Sequence, residues 1–250
     1  KVVDVSRHNG EINFSKLVAA GVVGIAIRAT VGDYYTDPRF YENWTKAEAA
    51  GIYRTAYHVI RPGYSYKGQM DRFFEVVGPR RPVFGKYGWV MDCEKHDGAG
   101  KQGVTDSIWY GLQESSKHAG KAAFVYTRMS FWNHVVNPSV KWKNWPLWVA
   151  RYTTAPAPWF ATEASYLRPR PGEWEDWEMW QHSADGNHQG PAHGAESPHL
   201  DLNRARVRIF EGVEPEPEPE PPVEVLQEGL ELQKVNGLWK VSNYYIYPNG

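Results

Sequence analysis

The sequence holds one cysteine, Cys93, in 250 residues. A lone thiol excludes an intrachain disulfide framework and any metal site built on a Cys-x-x-Cys pair. No apolar run approaches the ~18 to 20 residues of a membrane span, so membrane insertion is not expected. A secretory leader pattern is missing too, since "KVVDVSRHNG" turns polar at once. Charge of one sign is also lacking, with a formal net of -1. No nucleic-acid-binding motif is present, and none of the expected partners is a nucleic acid.

Aromatic residues, by contrast, are plentiful: 14% of the chain, with 12 Trp and 15 Tyr. Core packing accounts for about half of such a number, and the rest favours a surface that stacks on rings such as sugars. The near-zero net charge hides an uneven distribution. Residues 211–250 hold eight glutamates and two lysines, which leaves residues 1–210 with 26 Lys and Arg against 21 Asp and Glu. A mildly basic body suits an anionic polymer.

The stretch "VEPEPEPEPP", 213–222, reads as a boundary. Alternating Pro and Glu cannot pack a core and favour an extended, self-repelling spacer. The 28 residues beyond it are too few for an independent core. Their β-formers and "VNG" suggest a hairpin, a small attachment module or a fragment of one. The expected organisation is therefore a body over 1–212, a linker over 213–222 and a small β-like tail over 223–250.

Within the body, short apolar runs alternate with amphipathic stretches. Strand candidates are "KVVDVS", "VGIAIRAT", "RTAYHVI", "GWVMDCE", "AAFVYT", "PLWVARY", "WEMWQHS" and "HLDLN". Helix candidates are "NFSKLVAAG", "DPRFYENWTKAEAAG", "YKGQMDRFFEVVG" and "VTDSIWYGLQESSKHAG", with terminal glycines that read as C-caps. After about residue 130 the helix signals fade. Strand–helix alternation with eight strands points to an α/β fold, a closed barrel whose second half is short of helices.

"WVMDCEKHDG", 89–98, ends an apolar strand with acids. Burying an ionised carboxylate is expensive, and a fold accepts it most readily where the charge does chemistry. Asp92 and Glu94 are two apart, so they share a face, with Cys93 pointing outward beneath the helices. Catalytic groups of such barrels gather at the C-terminal strand ends. Asp4 lies in the first strand and Asp201 in the last, which closure makes neighbours, with Asp92 and Glu94 across the mouth. Carboxyl groups sharing one pocket raise each other's pKa, so that one keeps a proton while others ionise, as glycosidic cleavage requires. Asp92 and Glu94 as plain strand-end acids is the alternative from spacing alone.

The motifs together resemble the glycoside hydrolase family 25 lysozymes, the N-acetylmuramidases. In order they are "DVSRHNGEINFSKLVAAGV", "GIAIRATVGDYYTDPRFYENWTKAEAAGI", "TAYHVIRP", "WVMDCE", "FVYTRMSFW", "PLWVARY", "MWQHS" and "LDLN", covering residues 3 to 210. The resemblance implies an irregular TIM-like (β/α)5(β)3 barrel. It also implies cleavage of the β-1,4 bond between N-acetylmuramic acid and N-acetylglucosamine in bacterial peptidoglycan. Under it, Glu94 is the general acid, Asp92 orients the substrate acetamido group, and Asp4 and Asp201 complete the acidic cluster. Tyr35, Tyr57, Tyr126, Tyr152, Trp180, Gln181 and Arg28 are the expected substrate-binding residues. No metal and no cofactor is expected, and the protein is expected to be a monomer. Two departures stand out. Val31 occupies a position where the family commonly has Glu, so that a polar contact is missing or Asp33 supplies it. The Gly/Pro-rich "HQGPAHGAESPH" leaves the last strand's register the least secure. A sugar-binding barrel without turnover and a chitinase-like glycosidase are the alternatives. Action on the cell wall is expected, by a phage product released at host lysis or a secreted enzyme. His58, next to Tyr57, reads as a buried structural histidine, and His96 and Asp97 as a turn rather than a metal site.

Overall fold

The computed structural model describes residues 1–152, 171–184 and 188–210, and the backbone of three strands near the C-terminus. Two compact units divide the chain, Lys1–Val213 and Glu214–Gly250.

The first unit is an irregular (β/α)5(β)3 barrel. Its strands are β1 (Val2–Val5), β2 (Gly24–Val31), β3 (Tyr35–Thr36), β4 (Tyr53–Val59), β5 (Val90–Asp92), β6 (Phe124–Arg128), β7 (Leu147–Ala150), β8 (Met179–Ser183) and β9 (Asp201–Ala205). Helices α1 (Phe14–Ala19), α2 (Phe40–Ala49), α3 (Tyr66–Val77), α4 (Lys101–Ala119) and α5 (Met129–Val135) follow the first five barrel strands. The sheet runs β1-β9-β8-β7-β6-β5-β4-β2 and closes through the β1–β2 pair, with the short β3 hairpinned onto β2. Every barrel pairing is parallel except those of β9, which runs antiparallel to both β8 and β1.

Side-chain alternation along each strand produces two apolar layers. Val2, Ala26, Val90, Phe124, Trp148 and Met179 fill the barrel interior. Val3, Ile25, Met91, Cys93, Val149 and Trp180 face the helices in the outer layer. Ile209 and Phe84 join the interior cluster and plug its floor. That plug requires Gly85, at φ +66, because a Cβ there would stand 1.6 Å from the Ile209 carbonyl oxygen. Asn13 and Ser65 cap α1 and α3 by accepting from Lys16 N and Gly68 N.

The sequence reading differs from the structure in two elements. Helix α5 was not among the helix candidates; it is seven residues long and carries the aromatic and β-branched "MSFWNHV", so intrinsic propensity gives it little signal. The β3 hairpin was also missed, a two-residue strand too short to show a period. Described tryptophans are all buried or half-buried. The aromatic richness expected to make a stacking surface is, for Trp, core: Trp109, Trp132, Trp142, Trp145 and Trp174 pack edge-to-face beneath α4 and α5.

In the second unit, β10 (Leu232–Val235), β11 (Leu238–Val241) and β12 (Tyr244–Ile246) form an antiparallel three-stranded sheet. β10 and β11 pair in register from Leu232↔Val241 to Val235↔Leu238. The Pro/Glu linker lies outside the described residues.

Candidate active site

The C-terminal ends of the parallel strands open into a cavity of about 510 Å³. Asp4, Asp92, Glu94 and Asp201 all line it, with Arg28, Tyr57, Tyr126 and Tyr152. Asp201 reaches this mouth by an unexpected route. It is the first residue of β9, not the last, and the antiparallel direction of β9 carries its start to the end where the parallel strands finish. Register pairs Asp4 directly with Asp201. The Gly/Pro-rich connection before β9 stays on that side, where Asn9 Nδ2 donates to the His199 carbonyl at 3.0 Å and Ser197 N donates to the Asn9 carbonyl.

Asp4 is buried and held by two amides. Asn203 Nδ2 and Gln181 Nε2 donate to its Oδ2 at 2.7 and 3.0 Å. The amides are themselves fixed. Trp148 Nε1 donates to Asn203 Oδ1 at 2.8 Å, and the Tyr126 and Tyr152 hydroxyls donate to Gln181 Oε1 at 2.8 and 3.1 Å. With both amide oxygens occupied by donors, both amide nitrogens must face the carboxylate. Burial raises the Asp4 pKa, partly offset by the bonds from Asn203, Gln181 and Asp201.

Asp92 is equally buried, but its Oδ1 has no hydrogen-bond partner among the described residues. Burial first, and the Glu94 charge second, push its pKa well above the usual carboxylate range. Glu94 lies two residues on, beyond the end of β5, and is more open. Arg128 Nε stands 3.3 Å from its Oε2 and Lys95 Nζ 3.9 Å from its Oε1, both cations being about half exposed. Burial likewise keeps Tyr57 and Tyr126 as phenols, with pKa values well above 10.

Among the substrate-binding candidates, Arg28, Tyr57, Tyr126 and Tyr152 line the cavity, and Gln181 supports it from beneath. Trp180 does not line it. On β8 it alternates with the inward Met179 and Gln181, so it faces the outer layer and donates Nε1 to the Arg151 carbonyl at 2.9 Å. Tyr35 does not line the cavity either; Arg7 and Arg28 lie against its ring, and its buried hydroxyl has no hydrogen-bond partner among the described residues. Val31 itself lines the cavity and Asp33 does not, so Asp33 leaves that polar contact unreplaced. Asn203 and Trp148 were missed, although "LDLN" places Asn203 on the Asp201 face by parity alone. His58 is fully buried, between Thr30 Oγ1 at 2.7 Å and Gln69 Oε1 at 3.3 Å. No cluster of metal-ligating side chains occurs among the described residues.

A closed α/β barrel with carboxyl groups from opposite sides of its mouth facing one cavity is the arrangement on which glycosidic cleavage by acid pairs is built. The sequence model for glycosyl hydrolases family 25 matches residues 3–191, and the chain belongs to that family. Lysozyme M1 of Streptomyces globisporus is 30% identical over 204 residues, covering 74% of this chain and 62% of that protein. This chain thus spans less than two thirds of that relative's length. N,O-diacetylmuramidase of Chalaropsis is 26% identical over 200 residues, covering 72% of this chain and 86% of that protein. The crystal structure of a lysozyme from Streptomyces coelicolor superimposes with a TM-score of 0.65 at 26% identity, over 82% of this chain and 90% of that one.

Proposed function

We propose that this protein is a muramidase that hydrolyses the β-1,4 bond between N-acetylmuramic acid and N-acetylglucosamine in bacterial peptidoglycan. The observation that carries the reading is the convergence of Asp4, Asp92, Glu94 and Asp201 on one cavity in a chain of this family. Relatives named lysozyme and muramidase support the substrate class.

In this reading Glu94 gives its proton to the glycosidic oxygen as the C1–O bond breaks. The substrate's own acetamido carbonyl oxygen closes on C1, and Asp92 accepts from the acetamido N–H and holds that group in line. The partnerless Asp92 Oδ1 supports the role, since a buried acceptor without a donor gains most from a ligand that brings one. Water then attacks C1, and Glu94 recovers its proton as the intermediate opens. Asp4 and Asp201 hold the far wall and contact the substrate. No metal enters these steps.

The enzyme works as a monomer at the wall. No helix among the described residues is long and apolar enough to cross a membrane. Delivery by phage at host lysis is our preferred route, secretion the second. Glu94→Gln tests the chemistry: lysis should fall while wall binding persists, and wild-type products should carry muramic acid at the new reducing end by mass spectrometry. N-acetylglucosamine at that end would replace the muramidase reading with another glycosidase.

A further inference from the structure

Large exposed hydrophobic side chains among the described residues include Tyr34 and Tyr64, 48% and 42% exposed. They come from different loops, after β2 and after β4, yet their rings meet with centroids 4.9 Å apart. The Arg61 guanidinium lies over both, 5.8 Å from the Tyr34 centroid and 5.6 Å from that of Tyr64. Arg61 also lines the cavity, so the tyrosine pair continues the cavity wall outward.

This placement is over-determined. Gln69, only 2% exposed, accepts from the Arg61 backbone N–H and donates to its carbonyl, at 2.8 and 3.0 Å. Asp97 accepts from Arg61 Nε at 2.9 and 2.8 Å and from Nη2 at 2.6 Å, while Nη1 donates to the Tyr34 hydroxyl. Asp97 holds this bidentate geometry at φ 49, and Gly63 leaves it room, since a Cβ there would stand 3.0 Å from the Asp97 Cβ. Rings fixed in water by buried polar supports bury no core. Their preorganised faces instead suit a ligand that would otherwise have to order them. The Arg61 charge is matched by Asp97, so the rings and the guanidinium between them present flat faces and hydrogen-bonding groups with that cation neutralised. A pyranose ring has complementary features, C–H bonds on its face and hydroxyl and amide groups at its edge.

We propose that Tyr34, Arg61 and Tyr64 form an outlying glycan subsite that binds a neutral N-acetylhexosamine ring of the same strand, away from the bond being cut. The subsite rests on the peptidoglycan reading and names a further contact of that substrate.

The test measures binding by calorimetry in a Glu94→Gln background, with peptide-free wall glycan chains of increasing length. With the platform intact, affinity should climb as the chain grows long enough to reach it. The double substitution Tyr34→Ala, Tyr64→Ala should weaken the longest chain by about tenfold, the worth of an ordinary aromatic contact, and flatten the dependence on length. Tyr34→Phe with Tyr64→Phe keeps the ring faces and should restore most of the affinity, which separates stacking from a folding defect. An unchanged length dependence in the alanine variant overturns the subsite. So does an effect seen only with peptide-bearing fragments, which would make the platform a peptide reader. If wild-type protein cleaves no wall but the length dependence behaves as stated, the muramidase reading falls and the subsite stands.

Discussion

The two sides of the cavity are built on opposite rules. On the β1–β9 side, Asp4 sits in a closed set of hydrogen bonds running from Trp148 through Asn203 and from the two tyrosines through Gln181. On the β5 side, Asp92 keeps a buried oxygen without a partner among the described residues, and Glu94 meets the half-exposed cations Lys95 and Arg128. A satisfied network rigidifies, whereas an unsatisfied buried group costs stability until a ligand completes it. On the proposed mechanism, the first side holds the mouth in shape and the second reacts.

Breaking the reactive side should have the largest effect. Glu94→Gln should lower wall lysis by ~10² to 10⁴, the usual worth of general-acid catalysis. Its melting temperature should barely move, because the ion pairs lost are with exposed Lys95 and Arg128 and such pairs contribute little. More than about a tenth of wild-type activity remaining would overturn the assignment.

Asp92→Asn comes next, with an expected loss of about 10² in turnover for one misplaced electrostatic contact to the reacting group. It also has a stability signature. The folded state holds the Asp92 proton well above 3.8, where the unfolded chain releases it. Above pH 3.8 the unfolded chain therefore binds fewer protons, so stability falls as pH rises until the folded group ionises too. The variant should melt higher than wild type at neutral pH and converge with it in acid. A variant less stable than wild type at neutrality would show that the ionised carboxylate stabilises the fold.

On the holding side the expected loss is in stability. Asn203→Ala leaves the buried Trp148 N–H without its acceptor and Asp4 with one donor fewer. Denaturant unfolding should show about 1–3 kcal/mol of destabilisation, the cost of stranding a buried polar group. If Asn203→Ala is neutral, the contrast between the sides fails.

A smaller, pH-limited effect belongs to His58. Burial holds its pKa down at about 4, from 6.5. As pH falls from 6.5 toward 4 the unfolded chain takes a proton that the folded chain refuses, so stability contributed above 6.5 is lost across that window. His182, also at about 4, adds in the same direction. Melting curves of His58→Gln should show a shallower decline there than wild type. This acid limb runs opposite to that of Asp92, so the two substitutions can be told apart by pH alone.

Strand order, the acids of the first and fourth barrel strands and the sense of their side chains were legible in the sequence. A period of two and an acid at the end of an apolar run are local signals, and Asp4, Asp92 and Glu94 follow from them. Asp201 was legible as a residue but not as a direction, since nothing local says that β9 runs antiparallel. Trp180 and Tyr35 show the limit of reading rings near strand ends. Which of two adjacent aromatics faces the mouth depends on strand parity and on the cations that claim a ring, as Arg7 and Arg28 claim Tyr35. The neighbouring Tyr34 faces outward against Tyr64, a pairing across 30 residues that only the fold creates.

Truncation after Gly212 should have the least effect of all on the barrel. The compact units divide at Val213, so the cut falls at the edge of the first unit and leaves its internal packing in place. Its position matters residue by residue. Ile209 is fully buried in the barrel floor and its carbonyl accepts from Lys86 N at 3.2 Å. Phe210 stacks on Tyr53 at 4.7 Å. A cut after Gly212 spares this plug, so calorimetry should give a melting temperature close to that of the full chain. Activity on soluble wall fragments should survive as well. Whole-cell lysis should fall if the tail binds wall, because a tethered second site raises the local concentration of the enzyme. The remaining body keeps an excess of 26 basic over 22 acidic residues, so its attraction to the anionic wall should persist and weaken with salt. An unfolded or inactive truncated protein would mean that the barrel depends on residues beyond its floor, and the holding side would then extend past β9.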